Sequence, residues 1–222
     1  MKIRWGRLVW SIFVVLYLGL FFWNLFLSFP SRIIPTIYLY ILIIWLSIEF
    51  YFHQSFFQSG RLITEDPETN DRYDNMSFAL RSLFAIFFYS CLAIGVADFV
   101  WWNKGQVPEL RPFINILGIL ILLGSVLMRI KSDLLMFRNR HKIIREGLYN
   151  SIRHPAYFTT LLLILSISCA LSSFLILIYT LVIGLPLIYL EASFEDRYLA
   201  KKNGPDYEAY KEKTSLFIPG IL

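Results

Sequence analysis

Charge is scarce in this chain: 17% of its 222 residues are Asp, Glu, Lys or Arg, against 57% hydrophobic and 18% aromatic. A soluble domain of average composition carries about 25% charged residues, so an ordinary water-soluble fold is excluded. Cysteine is scarcer still. Cys91 and Cys169 are the only two, and both fall inside apolar runs, which excludes a disulfide framework or a thiolate zinc site and leaves packing as their role. The three histidines form no ligand spacing, so no metal is expected. There is no internal repeat, and the one long polar stretch, 54–77, is too short for a large extramembrane domain. The formal net charge of +5 does not call for nucleic acid, because in a chain this apolar the placement of the cations matters more than their sum.

What the chain does have is apolar length. About 20 mostly apolar residues cross a bilayer core of about 30 Å, and such runs occupy 8–29, 33–52, 78–102, 113–137 and 156–190. The first follows Lys2, Arg4 and Arg7, exceeds a signal-peptide core and lacks a small-residue cleavage site, so it reads as a retained anchor. Pro30 and Pro35 set off the second, since proline suits a helix start. Arg129, Lys131 and Asp133 mark where the fourth leaves lipid. The last is too long for one comfortable crossing and is interrupted at Ser172-Ser173 and again at Gly184-Leu185-Pro186, which predicts a helical hairpin. A stop is expected at Asn203-Gly204-Pro205.

The predicted fold is therefore all-α, a multi-pass transmembrane bundle of four spans plus a C-terminal helical hairpin. Residues 1–128 supply the N-terminal bundle with its connector at 54–77, and 129–222 a core ending in an amphipathic tail. Six crossings from a cytoplasmic N-terminus place eighteen of the 21 cations on one side, leaving Arg32, Lys104 and Arg111 opposite. The positive-inside rule then puts both termini in the cytoplasm of a bacterial inner membrane or at the endoplasmic reticulum.

Unusual side chains gather on that cytoplasmic side. His141, Lys142, Ile143 and Ile144 lead to Gly147 and Tyr149, then to Arg153-His154-Pro155-Ala156-Tyr157. Pro155 is placed to be the first helical residue of the hairpin, so Arg153 and His154 precede a helix N-terminus that attracts anions. Gly147 permits a tight turn that brings the loop backbone close to a ligand. Arg153 is the candidate catalytic residue. In the tail, Glu191, Glu195 and Tyr198 share one helical face, while Asp196, Arg197, Lys201 and Lys202 read as exposed ion pairs of little weight. Tyr207 and Tyr210 then suggest a short amphipathic helix at the membrane interface.

The ordered set is His-x5-Gly-x-Tyr, Arg-His-Pro-x-Tyr, a hairpin, Glu-Asp-x-x-Leu, Gly-x-x-Tyr-x-x-Tyr and Ile-Pro, from His141 to Pro219 within the stretch 129–219. It resembles the isoprenylcysteine carboxyl methyltransferases and the related phospholipid methyltransferases, which are integral membrane enzymes. That resemblance implies a site for S-adenosylmethionine (SAM) made by His141, Lys142, Ile143, Ile144, Tyr149, His154, Pro155, Ala156 and Tyr157, with Glu195 as its acidic partner. The chemistry agrees: a carboxylate, an amino group, a sulfonium and a flat adenine want helix N-terminal donors, an acid and aromatic walls. Membrane lipids and a lipid-like or small hydrophobic acceptor are the implied partners, with neither nucleic acid nor metal. Two positions depart from the pattern. Glu191 stands where the resembling enzymes carry an arginine for the acceptor carboxylate, so it faces the acceptor with the opposite charge and favours an amine or uncharged group. Phe158-Thr159 follows Tyr157 where glycine is frequent. A sterol-reductase-like enzyme using NADPH is the alternative, although Pro155 and Ala156 replace the polar residue expected before its tyrosine; an inactive membrane scaffold is the third reading.

Overall fold

The computed structural model describes Gly19 and residues 33–60, 67–139 and 143–220. The expected anchor at 8–29 lies outside the described residues apart from Gly19, and so do His141 and Lys142. Among the described residues every regular element is helical, and the extended pairing is limited to two isolated bridges. The chain forms two compact units, 1–63 and 64–222. In the first, α1 (Ile33–Gly60) begins with Pro35 in its opening turn, and Ile33, Ile37, Ile44 and Ile48 form an exposed apolar stripe.

In the second unit α2 (Pro67–Ala97) is prolonged by a π-turn at Asp98–Trp102, and α3 (Phe113–Arg138) follows a short loop. The hairpin turns at Ser172-Ser173, as the sequence predicts. Its first arm is α4 (Pro155–Ala170) and its second is α5 (Phe174–Tyr179), a π-segment at Thr180–Gly184, and α6 (Leu185–Asn203). The second interruption expected from the sequence is not a break. Pro186 removes an N–H and crowds the carbonyl one turn back, and the π-segment before it absorbs that mismatch while the helix runs on. Gly204, at φ +59°, ends α6, and Pro205 opens α7 (Pro205–Lys211). Among the described residues three helical stretches, Ser82–Trp102, Phe113–Arg138 and Phe174–Asn203, are long and apolar enough to cross a membrane.

Packing follows two antiparallel registers. Along α3 and α4, Asn115 Nδ2 donates to the Ala170 carbonyl (2.6 Å), Ser125 Oγ to that of Thr159 (2.8 Å) and Arg129 to that of Ala156 (3.0 Å). A Cβ on Gly118 would come within 2.4 Å of the Ala170 backbone nitrogen, so the glycine lets two helix backbones meet, the device by which membrane helices gain packing. Along α2 and the second arm, the Phe87 ring packs on Tyr179 (5.2 Å between centroids) and Ser90 Oγ shares a hydrogen bond with Tyr179 Oη (2.9 Å). Outward faces stay apolar, with Phe113, Leu120, Leu127 and Leu134 on α3 all more than half exposed. Trp101 and Trp102 are exposed at the end of the Ser82–Trp102 stretch, where amphipathic rings favour a membrane interface.

At the turn end of the hairpin the buried Asp98 carboxylate accepts from Ser173 Oγ (2.7 Å), Gln106 Nε2 (2.9 Å) and the amides of Lys104 and Gly105 (2.9 Å each). This knot fixes the hairpin turn to the α2–α3 loop. At the opposite end Leu216 and Phe217, from the chain after α7, pack with Leu161 of α4 and with Ile188 and Ala192 of α6. That second cluster frames the candidate site.

Candidate functional site

Helix α4 starts at Pro155 with His154 as its N-cap. Its ring is buried, 5% exposed, and lies between two carboxylates: Nδ1 is 3.5 Å from Glu195 Oε2 and Nε2 is 3.5 Å from Asp196 Oδ1. Tyr157, one turn along α4 on the same side, donates to Glu195 Oε2 at 2.9 Å, and its ring centroid is 5.8 Å from that of His154. Glu195 itself is only partly covered, with 39% of its side chain exposed, so an acid oriented by a phenol and an imidazole opens outward at the head of α4. Glu191, one turn earlier on α6, is buried.

Arg153, the candidate catalytic residue, is engaged within the fold. Its Nε donates to Asp196 Oδ1 at 2.8 Å, and one terminal nitrogen donates to the carbonyls of Lys211 (3.1 Å) and Thr214. Backbone bonds continue the seam, from the Arg153 amide to the Ser215 carbonyl and from the His154 amide to that of Leu216, 2.9 Å each. The guanidinium therefore fastens α6 and the C-terminal stretch to the start of α4.

Of the other residues the sequence singled out, Ile143 and Ile144 are half-buried in irregular chain before a 3-10 turn at Gly147–Asn150. Gly147 adopts φ +59° there, a conformation that favours glycine. Tyr149 sits in that turn among Ser132, Asp133 and Arg129 of α3 and within the field of Glu195; burial above all pushes its phenol up to about 12. The Ala156 carbonyl accepts from Arg129 and from the Thr159 and Thr160 hydroxyls. The structure thus gathers His154, Pro155, Tyr157, Glu195 and Arg153 directly, and brings Tyr149 up from the loop side.

Three readings of the sequence change. Asp196 is not an exposed partner of Arg197, Lys201 and Lys202: it is 6% exposed and takes Arg153, Tyr207 Oη (2.9 Å) and Lys211 Nζ (3.5 Å) as neighbours. The signal was present, since Ile188, Ala192 and Asp196 follow one another at four-residue spacing on the buried stripe of α6. Tyr207 and Tyr210 turn their rings into the protein rather than outward. Both rings are buried, 3% and 5% exposed, and both phenols are pushed up by burial first of all, with Asp196 adding to the effect on each. Arg129 does more than mark an exit from lipid, because its side chain turns inward, 12% exposed, to the first turn of α4 and to Asp133 at 3.4 Å.

Among models of protein families, residues 4–214 match the one described as "Protein of unknown function (DUF1295)". None of the curated proteins matches the chain.

Proposed function

The chain belongs to the DUF1295 family, and we propose that it is a SAM-dependent methyltransferase of the membrane acting on a lipid-like or small hydrophobic acceptor. The observation that carries the proposal is the trio at the head of α4: Glu195, held by Tyr157 Oη at 2.9 Å and by His154 at 3.5 Å, with its remaining surface open. A carboxylate so fixed suits the ammonium or sulfonium of the cofactor, and the neighbouring aromatic faces suit a cation and a flat base. The donor set fits the group. When bound, SAM supplies an electrophilic methyl on a sulfonium. The work left to the protein is positioning and exclusion of water, which a rigid helix start can perform without a covalent nucleophile or a metal.

Further support comes from the surroundings. The trio lies at the end of α4 and α6 to which eighteen of the 21 cations are assigned by charge placement, so we place the site, and both termini, on the cytoplasmic side of a six-crossing bundle. The apolar outer faces of α3 and of the second hairpin arm lead to the same end, giving an acceptor a sideways route from the bilayer. Glu191, buried beside Glu195, favours an amine or neutral acceptor over a carboxylate.

Calorimetric titration of the detergent-purified protein with SAM and with NADPH, beside a His154→Ala/Glu195→Gln variant, tests the reading. Binding of SAM alone, abolished in the variant, is expected. Binding of NADPH alone moves the assignment to a reductase, and binding of neither by a folded protein leaves a scaffold.

A further inference from the structure

Helix α7 touches both arms of the site without lining it. On the helix arm, Tyr207 Oη donates to Asp196 Oδ1 at 2.9 Å, and Asp196 is the residue next to Glu195 and the partner of Arg153, which is the residue next to His154. Toward the loop arm, Tyr210 Oη donates to the Tyr149 carbonyl at 2.6 Å. The Arg145 guanidinium lies 6.0 Å from the Tyr210 ring centroid and donates to the Asp206 carbonyl at 3.2 Å. The two tyrosine rings brace each other edge to face, 5.8 Å apart. Both phenols are held in their neutral form by burial above all, so each remains a donor.

From this geometry we infer that Tyr207 and Tyr210 are positioning residues, and that α7 is a clasp setting the separation between Glu195 and His154 on one side and the Tyr149 loop on the other. The inference rests on the methyltransferase reading for what occupies that space. Both phenols are bonded to protein acceptors, Asp196 and the Tyr149 carbonyl. Tyr207 acts through Asp196, which holds the turn of α6 bearing Glu195, and Tyr210 acts through the backbone of Tyr149. A clasp on two arms differs from simple glue: its loss widens the site in a protein that still folds, because Leu216 and Phe217 keep the tail packed in the core independently of either hydroxyl.

Phenylalanine at each position deletes only the hydroxyl. The full chain in detergent is titrated calorimetrically with SAM as wild type, as Tyr207→Phe, as Tyr210→Phe and as the double variant, with melting temperature recorded for each. A control, Tyr179→Phe, removes a hydroxyl that bonds Ser90 at 2.9 Å, away from the site. Each site variant is expected to weaken SAM by about tenfold, the equivalent of one hydrogen bond of about 1.4 kcal/mol, and the double variant by more. The control is expected to lower the melting temperature and leave the dissociation constant unchanged. Site variants that melt lower yet bind SAM as wild type does would overturn the clasp.

A second readout does not use the cofactor. Hydrogen exchange at the amides of 147–152 should quicken by about tenfold in Tyr210→Phe, the same hydrogen-bond equivalent, while α3 amides stay protected; unchanged exchange in the loop also overturns the clasp. Wild-type protein that binds no SAM refutes the methyltransferase reading and the cofactor part of this inference together, and the exchange result then decides by itself whether α7 sets the loop.

Discussion

Removing the Arg153 guanidinium, as in Arg153→Met, tests the seam on which the site is built. Arg153 and Asp196 side chains are 11% and 8% exposed and meet at 2.8 Å. The pair is thus outside the regime of surface salt bridges, which contribute about 0–1 kcal/mol. Breaking a buried pair by deleting one partner costs about 3–5 kcal/mol, because the other charge is left behind. Here Tyr207 Oη at 2.9 Å and Lys211 Nζ at 3.5 Å still face the orphaned carboxylate, while the carbonyls of Lys211 and Thr214 lose their donor. Partial compensation on one side and added loss on the other leave an expected cost of about 3 kcal/mol. The assay is a double-mutant cycle in detergent with Arg153→Met, Asp196→Asn and both together, read by thermal unfolding. The double variant should lose less than the sum of the singles, by about 2 kcal/mol, since neither buried charge then remains alone. Limited trypsin digestion reads the same seam: in Arg153→Met the chain should be cut readily after Lys211 or Lys213, where the wild type resists. Additive losses with a protected tail would refute the reasoning and leave Arg153 available for a direct part in catalysis.

At the other end of the bundle, Asp98→Ala strands four donors, from Ser173, Gln106, Lys104 and Gly105. With each buried unsatisfied group costing about 1–3 kcal/mol and some relaxation, a loss of roughly 3–5 kcal/mol is expected in melting experiments; Asp98→Asn should fall between alanine and wild type, and a wild-type melting temperature for alanine would remove the knot from the stability of the hairpin. On the proposed methyltransferase reading, Glu191→Arg should raise methylation of a hydrophobic carboxylate relative to a hydrophobic amine by about tenfold or more; equal loss on both acceptors in a competition assay would show that Glu191 does not face the acceptor. The tyrosines give a pH dependence. Burial pushes the phenols of Tyr149, Tyr207 and Tyr210 above the ordinary value of 10.0, that of Tyr149 to about 12. The unfolded chain then releases these protons first, so their contribution is intact below about pH 10 and declines as pH rises through 10 to 12. A melting series across that range should fall while tyrosinate absorbance lags behind that of the unfolded protein; coincident titration of folded and unfolded protein would count against buried phenols.

Much of the helical plan is legible in the sequence because its causes are local. Apolar runs of membrane length give α2, α3 and the hairpin, Pro155 starts α4 and Gly204-Pro205 separates α6 from α7, each through backbone chemistry confined to a few residues. The Arg-His-Pro-x-Tyr and Glu-Asp pairs are likewise visible as motifs, and their meeting across α4 and α6 is what the hairpin makes possible. The second interruption is not legible there, because Gly184 and Pro186 specify a local mismatch, whereas whether the helix breaks or absorbs it as a π-segment depends on the helices packed alongside.

The sequence by itself determined an apolar, all-helical chain with its unusual polar residues near the ends of two hairpin arms, since composition and hydrophobic run length act without reference to distant residues. Only the tertiary structure decided that Asp196 is buried while Glu195 opens outward, that Arg153 is a clamp, and that Tyr207 and Tyr210 turn inward. Adjacent acids on one helix look alike in sequence; which of them is desolvated is fixed by the chain that crosses over them, here residues 205–217, and a charge is tolerated there because a partner 43 positions away, Arg153, arrives to meet it.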